Sequence, residues 1–376
     1  MAITINQAPA IVDFCFNKPA FKITSNASPV KLVARIYVEV VRWSTTYEQV
    51  PDIYLDPDSN DSAVFYIGNI LREYFDIIKT DLWNLADPEQ DLYALKYYYV
   101  KFYEWDGDSL NNLNQPDGCW MLYGKLDYQA WPGHSFFTSL ASKLNYLNNI
   151  GTRVRCWVNS KHFIYFLNHV GTEDIDLVAQ IFYTDKTNET QVIKSLIEVP
   201  RYDVIVFPAG YGQLNIGSFT PAKTVYRYDL SVYISGGAQV GKTVSFYIEN
   251  KPWFGKQFLF RNNYGVFESM LCEGKEEAEI NATLETSKKR LAYDYSATDF
   301  EYVQRVKSKT QEFKANTGGL IRSEAEHLHE MLNDKFFKIG ESSIIPCNIL
   351  SKSIKVYNEE DDLHSIEFSY QYAFEL

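Results

Sequence analysis

Phe258–Gly274, FLFRNNYGVFESMLCEG, sets the reading of the whole chain. An apolar run, Phe258-Leu259-Phe260, gives way to Arg261, Asn262, Asn263 and Gly265, and then resumes as Val266, Phe267, Glu268, Ser269, Met270 and Leu271. Asn and Gly tolerate the positive φ that a close reversal needs, so the stretch predicts two short strands around a tight turn. Phe258 and Phe260 on one arm and Phe267 on the other let one face pack inward and leave the other for a neighbouring subunit. The expected assembly interface is therefore Phe258, Phe260, Arg261, Asn262, Tyr264 and Phe267.

Downstream, Glu273–Glu279 is dense in charge and reads as a solvated turn. Ala282–Lys314 alternates loosely, with Tyr293, Tyr295, Phe300 and Tyr302, and suits extended strands. After the break at Thr317-Gly318-Gly319, Ser323–Phe337 reads as a helix. Ser323 and Glu326 form a capping box, and Ala325, Leu328, Met331, Leu332 and Phe336 make a buried stripe. Ile344–Ile354 and His364–Phe374 close the chain as strands. The last alternates Ile366, Phe368, Tyr370, Tyr372 and Phe374 on one face.

Upstream, strands are expected at Arg153–Val158, His162–Leu167, Ile175–Tyr183, Gln191–Val199, Asp203–Phe207, Val225–Ser235 and Thr243–Glu249, with a hairpin tip at Asp185–Thr190. Short strands at this spacing, separated by Gly, Pro, Asn and Asp, indicate a sandwich. Val30–Val41, Ala63–Ile67, Leu95–Trp105 and Cys119–Tyr128 imply a similar domain before it, with a short helix at Asn69–Phe75. Trp131-Pro132-Gly133 marks the boundary, and Phe136–Tyr146 has the weak helical period of a connector. The expected fold is mainly β: two β-sandwich-like domains (1–132 and 133–250), then a mixed C-terminal β domain with one capped helix (251–376).

Composition narrows the function. The 376 residues include 28 Tyr, 24 Phe and 7 Trp, which favours pleated strands and interfaces. A formal charge of -12 without a basic patch argues against nucleic acid as a partner. No apolar run approaches membrane-span length, and no signal peptide is evident at the start, so neither membrane nor secretion is expected. Cys15, Cys119, Cys156, Cys272 and Cys347 are widely spaced and odd in number, in keeping with reduced thiols and synthesis in a reducing cytoplasm.

Few motifs suggest chemistry. Gly236–Thr243, GGAQVGKT, fits the phosphate-loop pattern letter for letter, with Lys242 and Thr243 in place. A true phosphate loop leads into a helix whose N-terminus adds positive potential. Here VSFYIE follows, so a hairpin connection is the better reading. His327 and His329 lie two apart on a helix and diverge, while His134, His162, His169 and His364 are isolated. The carboxylates Asp56, Asp58 and Asp61, and those of Glu359–Asp362, lack EF-hand spacing and read as solvated loops. No catalytic residue, cofactor or metal is expected. Aromatic patches such as Tyr97–Trp105 suit either a sugar-binding face or a protein interface, and the abundance of Tyr favours the interface.

FLFRNNYGVFES, the charged stretch after it, FKANTGG, the segment ending NDKFF, and the close IIPCNILSKSIKVYNEEDDLHSIEFSYQYAF together resemble virion structural proteins of tailed bacteriophages and prophages of the Bacteroidetes. DPDSNDSAVFYIGNILREYF is similar to the first β domain of that group. Tyr264 departs from the pattern, standing where Phe or Leu is expected. The resemblance implies a tail, baseplate or tail-tube-associated subunit, located in the virion. Its partners would be copies of itself in a cyclic homo-oligomer and other phage tail proteins. The alternative is a receptor- or glycan-binding sandwich at the tail tip.

Overall fold

Leu95–Trp105 shows how the sequence builds the first sandwich. Its even-numbered side chains, among them Tyr98, Val100 and Phe102, are buried, while Tyr97, Tyr99, Lys101, Tyr103 and Trp105 face outward. That period of two is the signature of a strand covered on one side. The computed structural model describes residues 3–75, 81–125, 146–149, 153–340, 343–356, 358 and 363–374.

The sheet containing this strand runs in the order Val12–Phe14, Cys119–Leu122, Leu95–Trp105, Lys31–Glu39, Tyr47–Gln49, with Leu110–Asn114 and Ile53–Leu55 at its flanks. A three-stranded sheet of Ile3–Gln7, Ala20–Ser25 and Ser62–Tyr66 covers its inner face. Ile23 and Phe65 from one sheet and Ile36, Val100 and Phe102 from the other share one apolar core. The helix near Asn69 spans Gly68–Arg72 and continues as a 3-10 turn, Glu73–Phe75, so Asn69 lies inside it and Ile67 caps it.

A second sandwich repeats the arrangement. One sheet is ordered Arg153–Trp157, Val244–Glu249, Val225–Ile234, Glu173–Tyr183, Asn188–Val199; the other is Phe163–Leu167, Val204–Pro208, Glu89–Gln90. Leu177, Ile181, Leu230 and Phe246 meet Ile164 and Phe207 in its core.

Met1–Asn250 and Arg261–Glu268 form one compact unit, and Lys251–Phe260 with Ser269–Leu376 form a second. Inside the first, Glu89–Gln90 leaves the N-terminal region to complete a sheet of the second sandwich. Arg42 adds a polar bond between the two sandwiches. Its guanidinium lies 3.8 Å from the ring centroids of both Trp43 and Trp120, 3.5 Å from Asp203 and 3.2 Å from the Tyr202 carbonyl oxygen. The expected boundary at Trp131-Pro132-Gly133 and nearly all of the connector Phe136–Tyr146 lie outside the described residues.

The second unit is a seven-stranded antiparallel sheet in the order Phe267–Cys272, Lys256–Arg261, Phe336–Ile339, Ile344–Ile349, Glu367–Tyr372, Tyr302–Asn316, Glu277–Lys288. A short helical layer packs on it through Ala325, Leu328 and Met331, against Phe258, Phe336, Phe368 and Tyr370. The chain is thus mainly β, two β-sandwiches followed by a mixed C-terminal sheet.

The helix itself differs from expectation. It is α-helical only over Arg322–Ala325, then 3-10 over Leu328–Leu332. The cap is Ile321, whose N–H donates to the Glu324 carboxylate at 3.1 Å, so Ser323 and Glu326 are not the capping pair. Phe336 belongs to a strand, paired with Phe260 and stacked on Phe258 at 5.1 Å. Pairing with residues far away in sequence overrides helical propensity at the end of the stretch.

Candidate functional site

The Phe258–Gly274 hairpin forms as expected, with strands Lys256–Arg261 and Phe267–Cys272 and Gly265 at φ +83° in its turn. Contrary to expectation, its six interface residues are not a surface, because their own chain covers them. Phe258, Phe260, Arg261, Asn262, Tyr264 and Phe267 are all buried by their own chain. Phe258 and Phe260 sit in the core of the second unit. Within the first unit, Arg261 lies 3.6 Å from the ring centroid of Tyr123 and donates to the Phe75 carbonyl at 2.8 Å. Asn262 donates to the Leu147 carbonyl (2.8 Å) and Glu268 (2.6 Å), while its side-chain oxygen accepts from the backbone N–H groups of Tyr264 and Val266. Tyr264 packs edge-on to Phe14 at 5.7 Å, and the Phe267 carbonyl accepts from Asn148.

GGAQVGKT joins two antiparallel strands, Val225–Ile234 and Val244–Glu249, which pair from Arg227–Tyr247 to Leu230–Val244. A strand therefore stands where a phosphate loop needs a helix N-terminus. Burial draws the Lys242 ammonium below the usual lysine range, opposed by the charge of Glu268. His162 is buried against Phe246 and lies 3.0 Å from the Ser160 hydroxyl; burial pushes it down to about 3. Asp58 caps its own loop by accepting from the N–H groups of Asn60 and Ser62. Glu359–Asp362 lies outside the described residues. Among the described residues, no three His, Cys, Asp or Glu gather as a cation site.

The outward face of Leu95–Trp105 is a ladder of aromatic rings. Tyr37 and Tyr99 stack at 4.8 Å and 11°, Tyr97 meets Trp120 at 4.6 Å, and Tyr54 meets Trp105 edge-on at 5.9 Å. Lys101 lies 5.0 Å from the Tyr37 centroid. Tyr37 and Tyr99, paired across neighbouring strands, spend ring faces on each other, which strengthens the sheet. A sugar platform needs those faces free.

Among the described residues, an arm stands out by its exposure. Strands Glu277–Lys288 and Tyr302–Asn316 pair from Glu277–Lys314 to Lys288–Tyr302, and every residue of the first strand is exposed. The charge cluster expected as a turn thus enters a strand at Glu277. Opposed residues share a face, so the register sorts the two sides. One carries Ala278, Ile280, Ala282 and Leu284 with Phe313, Gln311, Lys309 and Val306 across from them; the other carries Glu277, Glu279, Asn281, Thr283 and Glu285. The apolar side continues the line of Phe313, which is buried in the core, outward along the arm. Ile280 is 64 % exposed, Leu284 51 % and Val306 53 %. At the tip, Tyr293 is fully exposed and Phe300 75 %.

Two features surround the base of this arm. Lys338 donates to Glu276 and to the Tyr370 hydroxyl, both at 2.8 Å, while Tyr370 donates to the same Glu276 carboxylate. Burial, reinforced by Glu276, raises the Tyr370 phenol far above its usual range. Beside it opens a groove of about 550 Å³ lined by Val306, Lys307, Lys309, Asn348, Tyr372 and Phe374, with the last two rings stacked at 5.3 Å. Sequence reading placed Tyr293, Tyr295, Phe300 and Tyr302 in strands; only Tyr302 is in one. The stripe of Ala278, Ile280, Ala282 and Leu284 is legible in principle, as alternation over 278–286.

No protein-family model matches the chain, and no curated protein matches it. Among solved structures, the chain is similar to the crystal structure of chicken CNTN1 FN1-FN3 domains at 12% identity, covering 92% of this chain and 94% of that one with a TM-score of 0.21. A likeness at that score carries no argument.

Proposed function

We propose that this chain is a structural subunit of a bacteriophage tail, a baseplate, tail-tube-associated or ring component that assembles with itself and with other tail proteins. The observation that carries the self-assembly reading is the arm: a long two-stranded ribbon with an apolar stripe along one side and every residue of its first strand exposed. Two strands alone are marginal in water. A long, exposed edge strand bearing apolar side chains is also a template for other chains, which proteins normally blunt or cover. A partner layer resolves both problems. The assignment to a phage tail rests on the resemblance in residues 258–274 and 313–376.

Glycan binding at a tail tip is the weaker reading, because the stacked Tyr37–Tyr99 pair turns its ring faces away from a ligand. The test uses the full chain. Sedimentation velocity at high protein concentration is expected to show a closed oligomer, and replacing Ala282–Lys309 by an Asn-Gly turn is expected to give a folded monomer. Genes for a tape-measure or sheath protein are expected beside its own. A native chain that stays monomeric, in a neighbourhood without tail genes, sinks the proposal.

A further inference from the structure

We propose that the tip of the arm, Tyr293, Tyr295 and Phe300, seats in the groove at the arm base of a second copy of this chain. This rests on the self-assembly reading above and names the two surfaces that meet.

The groove and the tip are complementary in charge, and both carry aromatic rings. The groove is lined by Val306, Tyr372 and Phe374 together with Lys307, Lys309 and the polar side chains of Gln311 and Asn348. Neither lysine has an ion-pair partner among the described residues, and both are exposed. Three aromatic rings crown the tip together with the carboxylates of Asp294 and Asp299, while the basic Lys289 and Arg290 stand back at its root. A groove of about 550 Å³ accommodates a pair of aromatic side chains. Buried aromatics ringed by charge are the usual energetic centre of an interface.

The tip cannot serve its own groove. Antiparallel pairing persists to Lys288–Tyr302, and the Lys289 N–H still donates to the Glu301 carbonyl at 2.7 Å. At about 3.3 Å per residue the ribbon carries its paired end roughly 13 Å beyond Val306, the outermost lining residue, and about 30 Å beyond Gln311. Contact between them requires two copies. Because the two surfaces differ, the contact is head-to-tail and repeats from copy to copy, closing as a ring when the rotation permits. The three tip rings, Tyr293, Tyr295 and Phe300, offer roughly 500 Å² of exposed surface at about 200 Å² per aromatic side chain.

The experiment uses three full-length preparations: native, a tip variant (Tyr293→Ser with Phe300→Ser) and a groove variant (Lys307→Glu with Lys309→Glu). All substitutions are at exposed positions, and circular dichroism with thermal unfolding checks that the variants keep the native fold. Each variant alone is expected to self-associate at least about 30-fold more weakly than native. An equimolar mixture of the two is expected to give dimers and nothing larger, since one intact tip then meets one intact groove. Native-like oligomers from either variant overturn the tip-and-groove contact and leave self-assembly standing. So does a mixture with no dimer. A native chain that remains monomeric overturns both.

Discussion

The guanidinium of Arg261 lies flat over Tyr123, 3.6 Å from its ring centroid, and the same group donates to the carbonyl of Phe75. One turn residue thus holds two segments that are far apart in sequence. Arginine suits this place because its planar, weakly hydrated cation stacks and donates at once, which a lysine ammonium does not.

Arg261→Ala strips the Phe75 carbonyl of this donor and empties the space over Tyr123. The expected loss is about 2–4 kcal/mol of stability, and Arg261→Lys recovers less than half of it. Urea unfolding read at the transition of the first unit measures both. A midpoint within experimental error of native for the alanine variant contradicts the account.

Gly265 sits at φ +83°, and a Cβ built there falls 2.7 Å from the Cβ of Tyr123. Gly265→Ala combines an unfavourable left-handed backbone with a clash against a buried side chain. A loss of about 2 kcal/mol or more is expected. Gly236, also at positive φ but with open space around its missing Cβ, is the control. Gly236→Ala carries only the backbone cost, about 1 kcal/mol. Equal losses at the two positions argue against the clash.

Glu276 receives both Lys338 and Tyr370. Removing the carboxylate leaves a largely buried ammonium among the rings of Phe313, Tyr370 and Tyr372. Glu276→Ala is expected to cost about 2–4 kcal/mol, and adding Lys338→Met to restore much of that, because an apolar side chain leaves no charge stranded. A double-mutant cycle by thermal unfolding gives the coupling, and additive losses speak against a shared site.

His162 supplies a pH dependence. Its folded value, about 3, lies below the ordinary histidine value near 6.5. Above pH 6.5 it is neutral in both states and contributes no slope. Between about 6.5 and 3 the unfolded chain binds a proton that the folded chain refuses, so stability falls as pH falls. The slope is about 1.4 kcal/mol per pH unit. His162→Gln is expected to be less stable than native at pH 7 but to lose less on acidification. Parallel stability-versus-pH curves for the two proteins rule this out.

These residues also show what could be read without coordinates. The strands of the second sandwich were readable because their ends are written locally: Asp185 and Thr187 close one hairpin with a side-chain hydrogen bond, and Pro, Asn and Gly mark others. Leu95–Trp105 declared its buried face by alternation alone. The turn at Asn262 was readable as a turn, but not as an interior. Its partners, Leu147 and Phe75 among them, are more than a hundred residues away, and nothing local announces them. The helix after Arg322 failed for a related reason, since Phe336 fits a helical stripe and a strand equally well and the stack on Phe258 decides. In the arm, Ile280, Leu284 and Val306 have the spacing of core residues. Sequence records that they are apolar, not that their own unit leaves them uncovered.

The hairpin that opened the reading has a consequence for how the chain is made. Its tip, Arg261–Glu268, completes the first unit, while its flanking strands belong to the second. A ribosome that has released Asn250 has therefore not yet delivered the side chains that satisfy Phe75 and Leu147. They arrive within seconds, at about 5–20 residues per second, but in the middle of a segment whose ends are committed elsewhere. Maturation of the N-terminal unit thus waits on translation of the C-terminal one. A gene cut between them at codon 250 yields an N-terminal fragment without Arg261–Glu268, whereas the other fragment encodes every residue of the second unit.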